Sequence, residues 1–137
     1  VYAMNTFDEQ TQDTTIRTDL GYFESKIHVH TTSDKVIKST YNGDGVEVDN
    51  MYLDNVASLR LFNHGTPVFA HDFRKQEFQP LITKDFLNKS ILRKLYFTRA
   101  DAKALYYDAL IGIPDASTTY VVELRITPDG RMSKKLR

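Results

Sequence analysis

The sequence predicts an α+β fold: a mostly antiparallel β-sheet of hairpins and meander connections, with one or two helices packed on one face. Three observations carry that expectation. Apolar and polar residues alternate with a period of two through most of the first half. Gly, Asn, Asp and Pro gather between those runs, where tight turns need them. Residues 84–95 switch to a three- and four-residue period.

Residues 4–15 hold one large aromatic, Phe7, and no strand or helix period, so residues 1–15 are expected to be a flexible polar leader or linker. Residues 16–137 are then expected to form a single globular β-rich domain. From Gly21 onward Phe23, Ser25, Ile27 and Val29 fall on one face of a strand, with Glu24, Lys26, His28 and His30 on the other. Residues 36–41 and 46–48 flank Asn42-Gly43-Asp44-Gly45, whose Asn-Gly and Asp-Gly pairs tolerate the positive φ of a hairpin turn. Residues 56–62 alternate again, with Ala57, Leu59 and Leu61 opposed to Ser58 and Arg60. Turn chemistry at residues 63–67 then returns the chain through residues 68–73.

Thr83 is placed to accept from a free first-turn amide, and Phe86, Leu87, Ser90, Ile91 and Leu95 recur at helical spacing, so residues 84–95 are predicted as a helix. Residues 98–113 fit two periods. Ala102, Leu105, Tyr106, Ala109 and Leu110 form a helical stripe behind a Thr98–Asp101 capping box, whereas Leu105, Tyr107, Ala109, Ile111 and Ile113 alternate as a strand. Thr119 to Thr127 is the cleanest strand pattern, with Tyr120, Val122, Leu124 and Ile126 opposed to Val121, Glu123 and Arg125. Pro128-Asp129-Gly130 closes a turn into a short last segment.

The 137 residues include 41% hydrophobic and 26% charged side chains, the composition of an ordinary folded domain. With no Cys there is no disulfide framework, thiolate metal cluster or cysteine nucleophile. Eighteen basic and eighteen acidic residues cancel, so no overall field draws the chain to nucleic acid, and no nucleic-acid partner is expected. The cancellation is uneven: residues 1–60 balance at −5 and residues 61–137 at +5, with a basic cluster over residues 74–99. No apolar run approaches a membrane span, so any membrane association is expected only through an anchor upstream of Val1.

The segments Asp85–Leu92, Ile111–Asp115 and Tyr120–Leu124 resemble the second half of a family of uncharacterised, secreted or lipid-anchored small domains from Bacteroidetes-type bacteria. The resemblance covers about the last 60 residues and carries no catalytic motif. It implies a small β-rich domain of the cell envelope, periplasmic or extracellular. The acceptor Cys of a lipoprotein is missing from this sequence.

His28 and His30, two apart on a predicted strand, send both imidazoles from one face and are the candidate metal ligands. His64 or His71 could add a third nitrogen, and Glu24 or Glu47 a carboxylate, giving a mixed site for zinc or a related ion. The pair is similar to the start of the cupin signature, but no Glu follows at the spacing that signature needs. Decoration of the polar face of an amphipathic strand explains the same two residues. Asn42, Asp44, Glu47, Asp49 and Asn50 offer oxygen ligands around two glycines, yet an EF-hand register puts Thr40 first and Met51 last, so a hairpin turn is the better reading. Nucleophile elbow, zincin, phosphate-loop and dinucleotide motifs are all absent.

The expectation is therefore a non-enzymatic cell-envelope domain that binds a partner protein or glycan and needs no cofactor. A metal-dependent hydrolase or lyase centred on His28 and His30 is the alternative. Association through the basic face of residues 84–99 is a third reading.

Overall fold

A computed structural model describes residues 10–137. The described residues form two four-stranded antiparallel sheets, each a meander built from contiguous sequence. The first contains β1 (Gln10–Thr18), β2 (Gly21–Tyr41), β3 (Glu47–Asn63) and β4 (Thr66–Phe73). The second contains β5 (Ile91–Ala100), β6 (Leu105–Gly112), β7 (Thr119–Ile126) and β8 (Met132–Leu136). Between them run a 3₁₀ turn at Lys75–Phe78 and one short α-helix, α1 (Lys84–Asn88). The mostly antiparallel sheet with a helix thus stands as predicted.

The sheets meet through the side chains that alternation assigned to the oily faces of β2, β3 and β7, joined by residues from β4, β5 and β6. Phe23, Ile27, Val29, Ala57, Leu59, Leu61 and Phe73 from the first pack in one cluster with Leu92, Leu95, Leu105, Tyr107, Ala109, Ile111, Val122, Leu124 and Ile126 from the second. Each fully buried Leu, Ile or Phe contributes about 1.5–3 kcal/mol relative to exposure, which makes this layer the main source of stability. Ser25, the one polar residue in the inward series of β2, receives the Tyr107 hydroxyl across the layer at 2.7 Å. The 3₁₀ turn and α1 add Phe78, Ile82 and Leu87 to the same core.

Two expectations change and one open choice is settled. The predicted helix over 84–95 ends at Asn88, and Ile91–Leu95 belong to β5. Thr83 does cap the helix, accepting from the Phe86 amide at 3.3 Å, but Ile91 and Leu92 are fully buried, and an extended chain places them between two layers where one helical face could not. Over 98–113 the strand period wins, as β6 spans Leu105–Gly112, and Asp101 serves the β5–β6 turn instead of a helix cap. Its carboxylate accepts from the Lys103 and Ala104 amides at 2.8 and 2.9 Å. Residues 10–15, expected within the polar leader, form β1 and pair with β2. Their alternation is of Thr, Gln and Asp, so hydropathy could not display it. Residues 1–9 of the expected leader lie outside the described residues.

The strands read separately at residues 23–29 and 36–41 are one strand, β2, interrupted only by a register shift between Thr31 and Lys35. Among the described residues, β2 and β3 continue beyond that shift as a two-stranded arm. Val36 and Tyr52 on the arm enclose Ile91, Lys38 Nζ donates to the Pro114 carbonyl at 2.9 Å, and the Tyr52 hydroxyl bonds the Asp115 carboxylate. One close approach fixes a turn. Gly130 has φ +85°, and a Cβ there would run into the Val68 carbonyl of the opposite sheet.

Candidate binding face

Lys26, His28 and His30 leave the outer face of the first sheet, as alternation predicts, because Ile27 and Val29 take the core. The two imidazole centroids are 5.0 Å apart with planes tilted by 35°, and His30 Nδ1 is buried without a hydrogen-bond partner. The further ligands do not join them. His71 pairs across the ladder with Leu59, on the inward side of the sheet, where its Nε2 meets the Glu77 carboxylate at 2.7 Å. His64 sits in the β3–β4 turn and stacks on Tyr22. Glu24 is four residues from His28 along an extended strand, about 13 Å away, and Glu47 lies at the far end of the arm. Among the described residues there is no group of three or more His, Asp or Glu placed to hold a metal.

Ser58 and Asp72 complete a row across the sheet beside His28. Asp72 accepts from Ser58 Oγ at 2.8 Å and from Arg60 at 2.9 Å, and these bonds hold its carboxyl below the usual range. The carboxylate therefore orients the serine, whereas hydrolytic triads place the imidazole between acid and hydroxyl.

The acidic hairpin tip is a turn. Asn42 Oδ1 accepts from the Asp44 and Val46 amides at 2.9 and 3.0 Å, so its oxygen is committed to the backbone, and Ser39 donates to Asp49.

A polar cluster lies buried where the arm leaves the sandwich. Asp54 Oδ1 accepts from the Asn55 and Leu92 amides at 2.8 and 2.9 Å, and its other oxygen is 3.6 Å from Lys75 Nζ. Lys75 donates to the Ser90 carbonyl at 2.7 Å, and Asn55 donates to the Leu92 carbonyl at 2.8 Å. Burial, the largest influence, raises the Asp54 carboxyl pKa despite the two amides and the lysine. Such perturbed groups often mark reaction centres, but Lys75 and Asp54 are each under 10% exposed. The cluster fastens β5 to β3 and leaves a substrate no way in.

The outer face of the second sheet is where exposed chemistry converges. Ladder pairing puts Lys94, Tyr96 and Arg99 of β5 on it with Tyr106, Asp108 and Leu110 of β6. Val121, Glu123 and Arg125 of β7 follow, then Ser133 and Lys135 of β8, with Arg137 just beyond. Lys94, Arg99, Lys135 and Arg137 are exposed. Both carboxylates are already met by arginine: Asp108 accepts from Arg137 at 2.6 Å, and Glu123 lies 3.8 Å from Arg99. Arg99 also lies 3.7 Å above the Tyr106 ring, whose hydroxyl donates to Asp101 at 2.7 Å and receives Arg125 Nε at 3.4 Å. One Asp108 oxygen remains buried and unpartnered.

Shallow depressions flank this network. One, of about 360 Å³, is lined by Arg125, Thr127, Arg131, Met132 and Ser133; the other, of about 290 Å³, by Arg93, Lys94, Leu110 and Thr119. Five cations against Asp108, Glu123 and the adjoining Asp101 leave the face net positive. Of the basic cluster seen in the sequence, it retains Lys94 and Arg99, while Lys84 starts α1, Lys89 caps its end and Lys75 is buried. Arg125, Lys135 and Arg137 were not singled out beforehand; the signal was the polar half of the β7 alternation, which β8 continues. A family model described as "Domain of unknown function (DUF4738)" matches residues 3–134, well beyond the last 60 residues that carried the sequence resemblance. No curated protein matches the chain.

Proposed function

The chain belongs to the DUF4738 family, and from that premise we propose a non-enzymatic binding domain of the cell envelope, held there by a segment upstream and engaging a partner protein or glycan. The binding surface is the outer face of the second sheet, and the partner carries acidic groups. The observation supporting this is the excess of exposed cations around tyrosines on one sheet face, between two shallow hollows that also present hydroxyls. Arginine offers planar, bidentate donors to carboxylate or sulfate, and a neighbouring tyrosine ring supplies apolar area at small entropic cost. Secretion, lipid anchoring and an origin in Bacteroidetes-type bacteria belong to the same reading and follow the sequence resemblance.

Calorimetric titration with polyglutamate and with a sulfated polysaccharide tests it. Binding of at least one that weakens as salt rises, and that disappears in an Arg125→Glu/Lys135→Glu variant, is the expected result. Absence of binding to both at low salt overturns the reading.

A further inference from the structure

The arm that β2 and β3 build matches the face just described. Among the described residues, β1 pairs no further than Val29 and β4 no further than Ala57, so from Lys35 to Leu53 the two strands run alone. The base of the arm is fixed by Val36, Tyr52 and Lys38 against the second sheet. Its end is not: every residue from Ser39 to Glu47 is exposed. That end carries Asp44, Glu47 and Asp49, with no Lys or Arg from Ser39 to Asn50.

It also shows two large apolar side chains to water, Tyr41 at 73% and Val46 at 57% exposure. A two-residue apolar display on a strand end costs solubility and adds nothing to the core. The turn holding it is pre-set by the two amides on Asn42 Oδ1 and by the Asn42–Val46 backbone bond, so docking would forfeit little conformational entropy.

We propose that the tip of this arm docks onto the outer face of the second sheet of a second copy of the chain. Asp44 and Glu47 meet Arg125 and Arg131, the second of which exchanges its 2.9 Å bond to Asp129 for the tip, and Val46 or Tyr41 enters the hollow that those arginines share with Met132. Charge complementarity selects the occupant: the tip is uniformly acidic and the face net basic, on a chain whose overall charge is zero. Reciprocal exchange of two tips gives a closed two-fold dimer. The proposal rests on the same face as the proposed function, yet it requires the arm, which that function does not.

Sedimentation of the full chain across concentration, at low and high salt, is the experiment. Concentration-dependent association is expected, its dissociation constant rising at least about tenfold between the two salts. An Asp44→Lys/Glu47→Lys variant and an Arg125→Glu/Arg131→Glu variant are each expected to be monomeric. Their equimolar mixture associates again, because each reversed tip then finds a reversed face and each native tip a native one. A wild-type chain that stays monomeric to about 1 mM, association unmoved by either variant, or a mixture that stays monomeric overturns the proposal. If the chain self-associates but ignores polyglutamate and sulfated polysaccharide, the proposed function falls and this inference stands; the converse result separates them the other way.

Discussion

Replacing Lys75 by Met tests the physical account of the buried junction. Met preserves most of the stem volume and deletes the ammonium, which removes a 2.7 Å bond to the Ser90 carbonyl and the cation 3.6 Å from Asp54. Deleting one partner of a buried ion pair costs about 3–5 kcal/mol. Asp54 keeps the Asn55 and Leu92 amides, so the loss belongs at the lower end, about 3 kcal/mol. With a urea slope of about 1–3 kcal/mol per molar, the unfolding midpoint falls by about 1–3 M.

The pH dependence has a definite sign. Asp54 has a folded-state pKa above its unfolded value, because burial outweighs its favourable partners. As pH rises from the ordinary carboxylate range, the unfolded chain loses this proton first, so stability falls until pH passes the folded pKa and stays lowered above it. Lys75 is among the groups holding that pKa down, and without it the window widens. The Lys75→Met loss is therefore greatest at pH 7 and shrinks towards pH 4, where protonation removes the stranded charge. Equal losses at both pH values, or a loss under about 1 kcal/mol, would refute the reasoning.

Tyr107→Phe should cost about 1–3 kcal/mol in chemical denaturation, because Ser25 is left buried without its donor; an unchanged midpoint would argue against the bond. Burial pushes Tyr107 up to about 12, and the bond to Asp115 does the same for Tyr52, so an absorbance titration should show two late phenols. Because the unfolded chain releases these protons near pH 10, stability falls from there towards pH 12, and less steeply in Tyr107→Phe. Gly130→Ala should lower stability by about 1–3 kcal/mol, since it combines φ +85° with a contact on the Val68 carbonyl; a neutral result would show that the turn yields. Purified without a His tag, the protein should retain less than about a tenth of an equivalent of zinc. A stoichiometric metal that disappears in His28→Ala/His30→Ala would instead revive the hydrolase or lyase reading.

Where a strand has one oily side, its existence and facing were legible: Phe23, Ile27 and Val29, or Val122, Leu124 and Ile126, are buried as alternation requires. β1 was missed because its exposed and half-buried positions are all filled by polar residues until Ile16. The long helix failed because Ile91, Leu92 and Leu95 satisfy a helical stripe and a doubly covered strand equally well, and only the second sheet decides between them. The histidine pair was foreseen on one face, yet spacing along β2 could not say that β4 turns His71 inward. The basic face was hardest to foresee. Its members come from four strands and assemble only once register is known, whereas neighbours in sequence such as Lys75 and Arg74 go separate ways, one buried and the other exposed.

Each meander uses one unbroken stretch of chain, so nearly all strand partners are close in sequence. During synthesis the first four strands are complete while the last four are still unmade. Phe23, Leu59, Leu61 and Phe73 would then face water across a whole layer. That layer closes only when Tyr107 and its neighbours arrive.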